Sequence, residues 1–354
     1  MTANCSRRGF LAASALAIAG CSRSSDSAGK PPARVTLYSS VDDVVLREIV
    51  TAFEKTSGIS VDLVTDTEAT KTTGLVERLL AERGAPRADV WWSSEATGTI
   101  RLASENVLAP LPEGVVPADW PREFVGEGTR WIGTAARARV IAFSESRVGA
   151  VDVPSALRDL TSERFQGKVG FADPRFGTTR SHLAAILLLA GETKTRAWLE
   201  AMKSNRARIY RSNSAIVRAI ADAEIDAGLT DTDDVEVARR NRWPVAMRYE
   251  REDEPGAVPP DTLPSFGAVV LPNTVAMVRS GPNPAAARIL LEFLVSERCE
   301  TMLAESESRN IPLRPALHDR FSSLRPPAIA PAPPDRVAAA ANQAIGLYED
   351  VFGG

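Results

Sequence analysis

The sequence predicts an α/β protein of two lobes, and three observations carry that prediction. Beyond residue 34, strand-like and helix-like stretches alternate at the pace a parallel sheet requires. An N-terminal leader is followed by about 330 residues, enough for two lobes with a core each. One β-like stretch, residues 131–143, is long enough to cross between lobes.

RVTLY (34–38) is β-branched and apolar and predicts a buried first strand. A helix follows, with Ser40 as candidate N-cap, Asp42 and Asp43 in its first turn and Ser57-Gly58 as its stop. Residues 59–64 predict a second strand, 71–82 a second helix and 88–92 a third strand. Pro110, Pro112, Pro117 and Pro121 then break the chain before the long crossing stretch. Beyond it, helices are expected over 157–165, 179–190, 196–204 and 214–223, with strands over 169–172, 209–210 and 225–229. Two apolar runs, 266–271 and 274–278, return the chain to the first lobe, and 285–296 predicts an amphipathic helix. Residues 326–334 are proline-rich and extended, and 338–352 close the chain as a helix.

SRRGFLAASALAIAGC (6–21) is an export leader: a twin-arginine pair, an uncharged run too short to span a bilayer, and small residues before a cysteine. IAGC (18–21) resembles a bacterial lipobox, which implies lipidation of Cys21; a plain signal peptide cut near Ala19 is the other reading. Lipid chains on Cys21 would hold the chain to a membrane face through the tether SRSSDSAGKPPAR. The domain reading is a signal over 1–21, a flexible tether over 22–33 and the first part of lobe one over 34–135. Lobe two covers 136–264, the return to lobe one 265–325, and the Pro-rich crossing with the C-terminal helix 326–354.

Composition excludes several classes. The 42 basic and 45 acidic residues give −3 overall, and −5 without Arg7 and Arg8, which disfavours nucleic acid and an anionic lipid surface as partners. Cys299 is the sole thiol outside the leader region, and His182 and His318 are the only imidazoles, so disulfide frameworks and Cys- or His-based metal sites are not expected. No nucleophile motif, phosphate loop or dinucleotide fingerprint occurs, so the chain is not expected to be an enzyme or to carry a cofactor.

VTLYSSVDD (35–43), FEKTSGI (53–59), ADVWW (88–92), ARARVIAF (136–143), AEIDAGL (223–229) and NIPL (310–313) resemble, in order and spacing, the extracellular solute-binding proteins of ABC importers, nearest the ferric-iron type. The resemblance implies a class II periplasmic-binding fold: two lobes, each a mixed, mostly parallel sheet flanked by helices, joined by two crossing strands and closing on ligand by hinge motion. It implies a monomeric, periplasmic capture protein that takes a small ligand in the interlobe cleft and delivers it to ABC permease subunits. That ligand is Fe3+ or another metal with a synergistic anion, entering as transported cargo and not as cofactor. Alternatives are a small anionic or zwitterionic solute such as a phosphonate or phosphate ester, or a tethered sensory or structural protein on the same fold. One departure stands out. Iron-binding members place adjacent tyrosines after the strand that here ends at Leu229, where this chain has TDTDDV (230–235). Its four tyrosines, Tyr38, Tyr210, Tyr249 and Tyr348, include no adjacent pair.

Candidate ligand contacts sit at strand-to-helix corners, where hydroxyls and free N–H groups make anion cradles. In the first lobe these are Ser39 and Ser40, either in the cleft or serving as caps, then Glu68 and Lys71 in the loop after the second strand, and Ser94 and Glu95 after the third. Strand alternation places one of Trp91 and Trp92 in the core and leaves the other for the cleft. In the second lobe they are Arg180, suited to bidentate hold of an oxyanion, Asn213 and Ser214 at a helix start, and Thr230, Asp231 and Asp234. Glu68, Asp231 and Asp234 are the candidate oxygen ligands for a hard cation, Asp231 or Asp233 otherwise serving as a helix cap.

Overall fold

The computed structural model describes residues 33–66 and 73–353. Cys21 and the whole leader and most of the tether lie outside the described residues, as do Glu68 and Lys71. Strand β1 (Arg34–Ser39) buries Val35 and Leu37, and helix α1 (Asp43–Ser57) turns Val45, Leu46, Ile49, Val50 and Phe53 onto one face at helical spacing. Gly58 ends α1 in the left-handed region, φ 70°, its N–H returning to Glu54 O. Parallel strands β2 (Ser60–Thr65) and β3 (Val90–Ser93) flank β1, with α2 (Thr73–Ala81) between them in the chain. Helix α3 (Thr97–Ser104) and the short β4 (Leu108–Ala109) precede β5 (Ile132–Ser144), thirteen residues buried along their whole length.

The second half continues as β6 (Val169–Ala172), α4 (Gly177–Ala190), α5 (Glu192–Ser204), β7 (Arg208–Tyr210), α6 (Asn213–Ala221), β8 (Ala227–Asp231), α7 (Thr232–Arg240) and β9 (Val245–Tyr249). Strand β10 (Val270–Val278), α8 (Pro284–Leu294), α9 (Glu297–Glu305) and α10 (Pro334–Phe352) complete it. The strands form one curled mixed sheet, β2-β1-β3-β10-β5-β8-β6-β7, with β4 on β10 and β9 on β5. Its two lobes meet along β5, whose first half pairs antiparallel with β10 and whose second half lies between β8 and β9. Ala135, φ 38°, marks a bulge there, where the register slips between Pro272 and Asn273. The buried Glu300 carboxylate accepts the N–H of Ala135 at 3.1 Å and that of Leu313 at 2.9 Å, fixing the bulge to the segment that follows α9.

One core packs α1, α8 and α9 against the β1–β3–β10 face. Another packs α4, α5 and β6 with Val337, Ala341, Ala344, Leu347 and Val351 of α10, so the C-terminal helix belongs to the second lobe's packing. Three expectations are corrected. The position before α1 is held by Asp42, not Ser40, whose hydroxyl is used elsewhere. Residues 157–165 form two 3₁₀ turns split at Ser162, whose backbone is extended (φ −71°, ψ 155°), while the Asp159 carboxylate caps the start of the first by accepting the N–H groups of Ser155 and Ala156. Trp91 and Trp92 are both fully buried, on opposite faces of β3 in different cores, so neither faces the cleft. Among the described residues no helix is long and apolar enough to cross a membrane.

Candidate functional site

Two first-lobe corners are knit together by serines. Ser40 Oγ shares a hydrogen bond with Ser93 Oγ at 3.3 Å and accepts the N–H of Ser94 at 3.2 Å, while Ser39 Oγ accepts the N–H of Val41. The Glu95 carboxylate turns back on its own helix and accepts the N–H groups of Thr97 at 2.6 Å and Gly98 at 2.9 Å, so it caps α3. Burial raises the Glu95 pKa, against the pull of those two amides and of Arg180 across the cleft.

Three second-lobe corners converge on β5. Residues 137 and 139 share one face of that strand. Arg139, fully buried, donates through Nη1 to Asp231 at 2.7 Å, Asn213 Oδ1 at 3.2 Å and Thr178 Oγ1 at 3.3 Å. The other Asp231 oxygen accepts the Thr178 hydroxyl and, at 3.0 Å, Asn213 Nδ2. The start of α4, the start of α6 and the end of β8 are therefore tied to one guanidinium. Arg137 pairs with Asp233 at 3.0 Å and donates to Asn273 Oδ1 at 3.3 Å. Thr230 donates to Asp234 at 2.9 Å.

Carboxylate oxygens of Asp231, Asp233 and Asp234 lie within 4.8 Å of one another. Two like charges at about 4 Å repel by about 4 kcal/mol at an effective dielectric near 20, so such a cluster stands only if balanced. Arg137 and Arg139 supply that balance. Burial works against the Arg137 charge, yet Asp233, Asp42, Asp231 and Asp234 hold its pKa above the ordinary value. Asp234 moves the other way, well above the usual carboxylate range, through burial and then the charges of Asp233 and Asp231. His182, one turn into α4, is pushed well below its ordinary value by burial and by Arg139.

The lobes touch across these corners. Thr97 Oγ1 and Ser181 Oγ share a hydrogen bond at 3.1 Å, Arg180 faces Glu95 electrostatically, and Asp42 faces Arg137. Arg180 also donates to Asn342 Oδ1 of α10 at 2.7 Å. Of the expected contacts, Ser39, Ser40, Ser94, Glu95, Arg180, Asn213, Thr230, Asp231 and Asp234 line these facing corners. Ser214 does not: it is exposed, and its hydroxyl bonds Ser212. The cap role weighed for Asp231 is also absent, since its side chain holds Arg139 while only its position caps α7. None of the four tyrosines reaches the corners. Tyr38 binds Glu82, Tyr210 binds Glu224, Tyr249 donates to Leu324 O and Tyr348 stacks on Phe352. Sequence reasoning missed Arg137, Arg139 and Thr178 as site members. The available signal was ARAR (136–139), two arginines at strand spacing in an otherwise apolar run.

Two α/β lobes hinged on crossing strands, with polar corners meeting face to face, define a cleft-type solute-binding protein. The chain matches a family model described as bacterial extracellular solute-binding protein over residues 35–306, and it belongs to that family. It is similar to an Fe(3+)-binding periplasmic protein of Serratia marcescens, 28% identical over 195 residues, 55% of this chain and 56% of that one. The matched stretch thus spans little over half the length of that relative. Iron uptake protein A1 of Synechocystis sp. is 25% identical over 280 residues, 77% of this chain and 74% of that one. The structure of iron-bound HitA from Pseudomonas aeruginosa superposes with a TM-score of 0.75 at 26% identity, covering 91% of this chain and 100% of that one.

Proposed function

We propose that this chain is the substrate-capturing component of an ABC importer, working in the periplasm and closing its lobes on a small ligand. The observation that carries this reading is the direct polar contact between lobes, Thr97 with Ser181 beside Glu95 and Arg180, built on strand-to-helix corners of both halves. The ligand stabilises the closed form by its differential affinity for it, about 5.5 kcal/mol being needed to move a population from 1:99 to 99:1. Closed lobes then dock on a permease that reopens them. Residues 34–135 and 265–325 form the first lobe and 136–264 the second, with a Pro-rich crossing and the C-terminal helix following over 326–354. Export by the twin-arginine route, lipidation at Cys21 and a monomeric, non-catalytic chain complete the proposal.

The names of the relatives make ferric iron with a synergistic anion the first cargo to test. A small anionic or zwitterionic solute is the second, favoured by the two arginines already paired with the acids at the β8–α7 corner. Thermal unfolding with ferric salts, phosphonates, phosphate esters and other oxyanions tests the capture reading. At about 100 times its Kd a true ligand adds about 2.7 kcal/mol, several degrees in Tm for a chain of this size. A panel in which nothing shifts Tm, and small-angle scattering shows no compaction, argues for the structural role instead.

A further inference from the structure

We infer that this cleft takes a solute bearing an oxyanion, a phosphate ester, phosphonate or carboxylate, received by the guanidiniums of Arg139 and Arg180, and that the acidic cluster serves to hold arginines and not a metal ion. The inference rests on the capture reading and adds its substrate class. It starts from the polar atoms left over once the protein's own hydrogen bonds are made. Arg137 Nε, Arg139 Nε and Nη2, and Arg180 Nε are buried donors with no acceptor among the described residues. Arg137 and Arg139 lie on one face of β5, and Arg180 lies in the first turn of α4, the helix whose Thr178 binds Arg139. A buried donor without an acceptor costs about 1–3 kcal/mol, so this region is short of acceptors, and an oxyanion brings them.

Arg139 shows the match most clearly. Its Nη1 end is fixed by three oxygens, from Asp231, Asn213 and Thr178. The two donors left over, Nε and Nη2, are neighbours along one edge of the planar guanidinium, the pair that meets two oxygens of a single carboxylate or phosphoryl group. The N-terminus of α4, fourteen residues long, adds its partial positive charge beside them. The acids point to the same conclusion. Both oxygens of Asp231 are engaged by the protein's own groups, and Asp233 is paired with Arg137. The nitrogen of Arg139 thus sits among oxygen donors much as a cation would, and a metal ion placed there would displace or adjoin fixed positive charge. None of the four tyrosines is in reach, so among the described residues no phenolate adds to the acids already held by Arg137 and Arg139.

Calorimetry and small-angle scattering on the full chain test this, with inorganic phosphate, 2-aminoethylphosphonate, glycerol 3-phosphate and citrate as probes in chelator-treated buffer. Ferric ion supplied from a weak chelate forms a separate arm. The expected result is that a probe binds and compacts the chain without metal, phosphoryl and carboxylate probes differing enough to tell the two head groups apart. Arg180→Gln then weakens binding about tenfold or more, and Arg139→Lys, which keeps the charge but loses the planar edge, about 100-fold. Circular dichroism of both unliganded variants confirms that they fold, and Arg180→Gln carries the test should Arg139→Lys fail to. Iron binding that needs no anion and survives Arg180→Gln overturns the inference and leaves capture standing, as does oxyanion binding indifferent to both substitutions. If neither iron nor any probe compacts the chain, the capture reading falls and takes the inference with it.

Discussion

Arg139 and Asp231 form an ion pair whose side chains are 1% and 2% exposed. Burying both charges costs several kcal/mol each, and the pair holds because Thr178 and Asn213 satisfy the second carboxylate oxygen. Removing one partner leaves the other charged in a dry site. Asp231→Asn is expected to lower stability in urea by about 3–5 kcal/mol, and combining it with Arg139→Gln to return part of that loss. The tyrosines make a second residue-scale prediction. Ferric citrate added to the chain will produce no tyrosinate-to-iron charge-transfer colour in visible absorption, since Tyr38, Tyr210, Tyr249 and Tyr348 all lie elsewhere. Most of the acids and helix starts of the site were legible in the sequence, because each lies at a strand-to-helix corner that local pattern marks. Arg139 was not, since its meaning depends on Asp231, 92 positions away, and the local ARAR spacing marks a pair of arginines on one strand face without naming their partners.

At the scale of elements, long amphipathic segments with glycine stops, such as α1, read clearly from periodicity. The eight-residue α3 and the two-residue β4 did not, because so few residues carry no resolvable period. The bulge in β5 was equally hidden, as it depends on Glu300, 165 positions from Ala135. Both amides bond one oxygen, Glu300 Oε1, and Glu300→Ala removes it, leaving two buried N–H groups without their acceptor. The expected effect is a loss of about 1–3 kcal/mol, with faster hydrogen exchange at the Ala135 and Leu313 amides. Where β6 meets β8, Gly170 pairs with Gly228, and a Cβ on Gly228 would lie 2.6 Å from Ile216 Cγ2 and 2.7 Å from Gly170 O. Backbone stands on one side, so Gly228→Ala is expected to cost about 1–3 kcal/mol and to loosen α6 from the sheet, read by urea unfolding and by exchange at Ile216 and Val217.

The described residues form two lobes sharing β5, and the segment leaving β9 for β10 carries a pH-sensitive group. Burial among Leu157, Leu263, Phe266 and Val269 raises the Glu250 carboxyl pKa to about 8, against the hydrogen bonds from Ser265 and Leu157. The native state therefore keeps a proton that the unfolded chain gives up, and stability falls as pH rises from near 4.5 toward 8. Glu250→Gln should flatten that fall in thermal melts and make the variant the more stable chain above pH 8. At this scale the two-lobed plan was legible because strand–helix alternation and chain length together leave few alternatives. The grip was less so, since the facing corners bring together residues far apart in the chain, Thr97 with Ser181 and Arg139 with Asp231. Native mass spectrometry with elemental analysis of the chain taken from the organism that makes it reads that cleft most directly. An organic oxyanion retained without iron is the result expected; one ferric ion per chain, with no organic adduct, would contradict it.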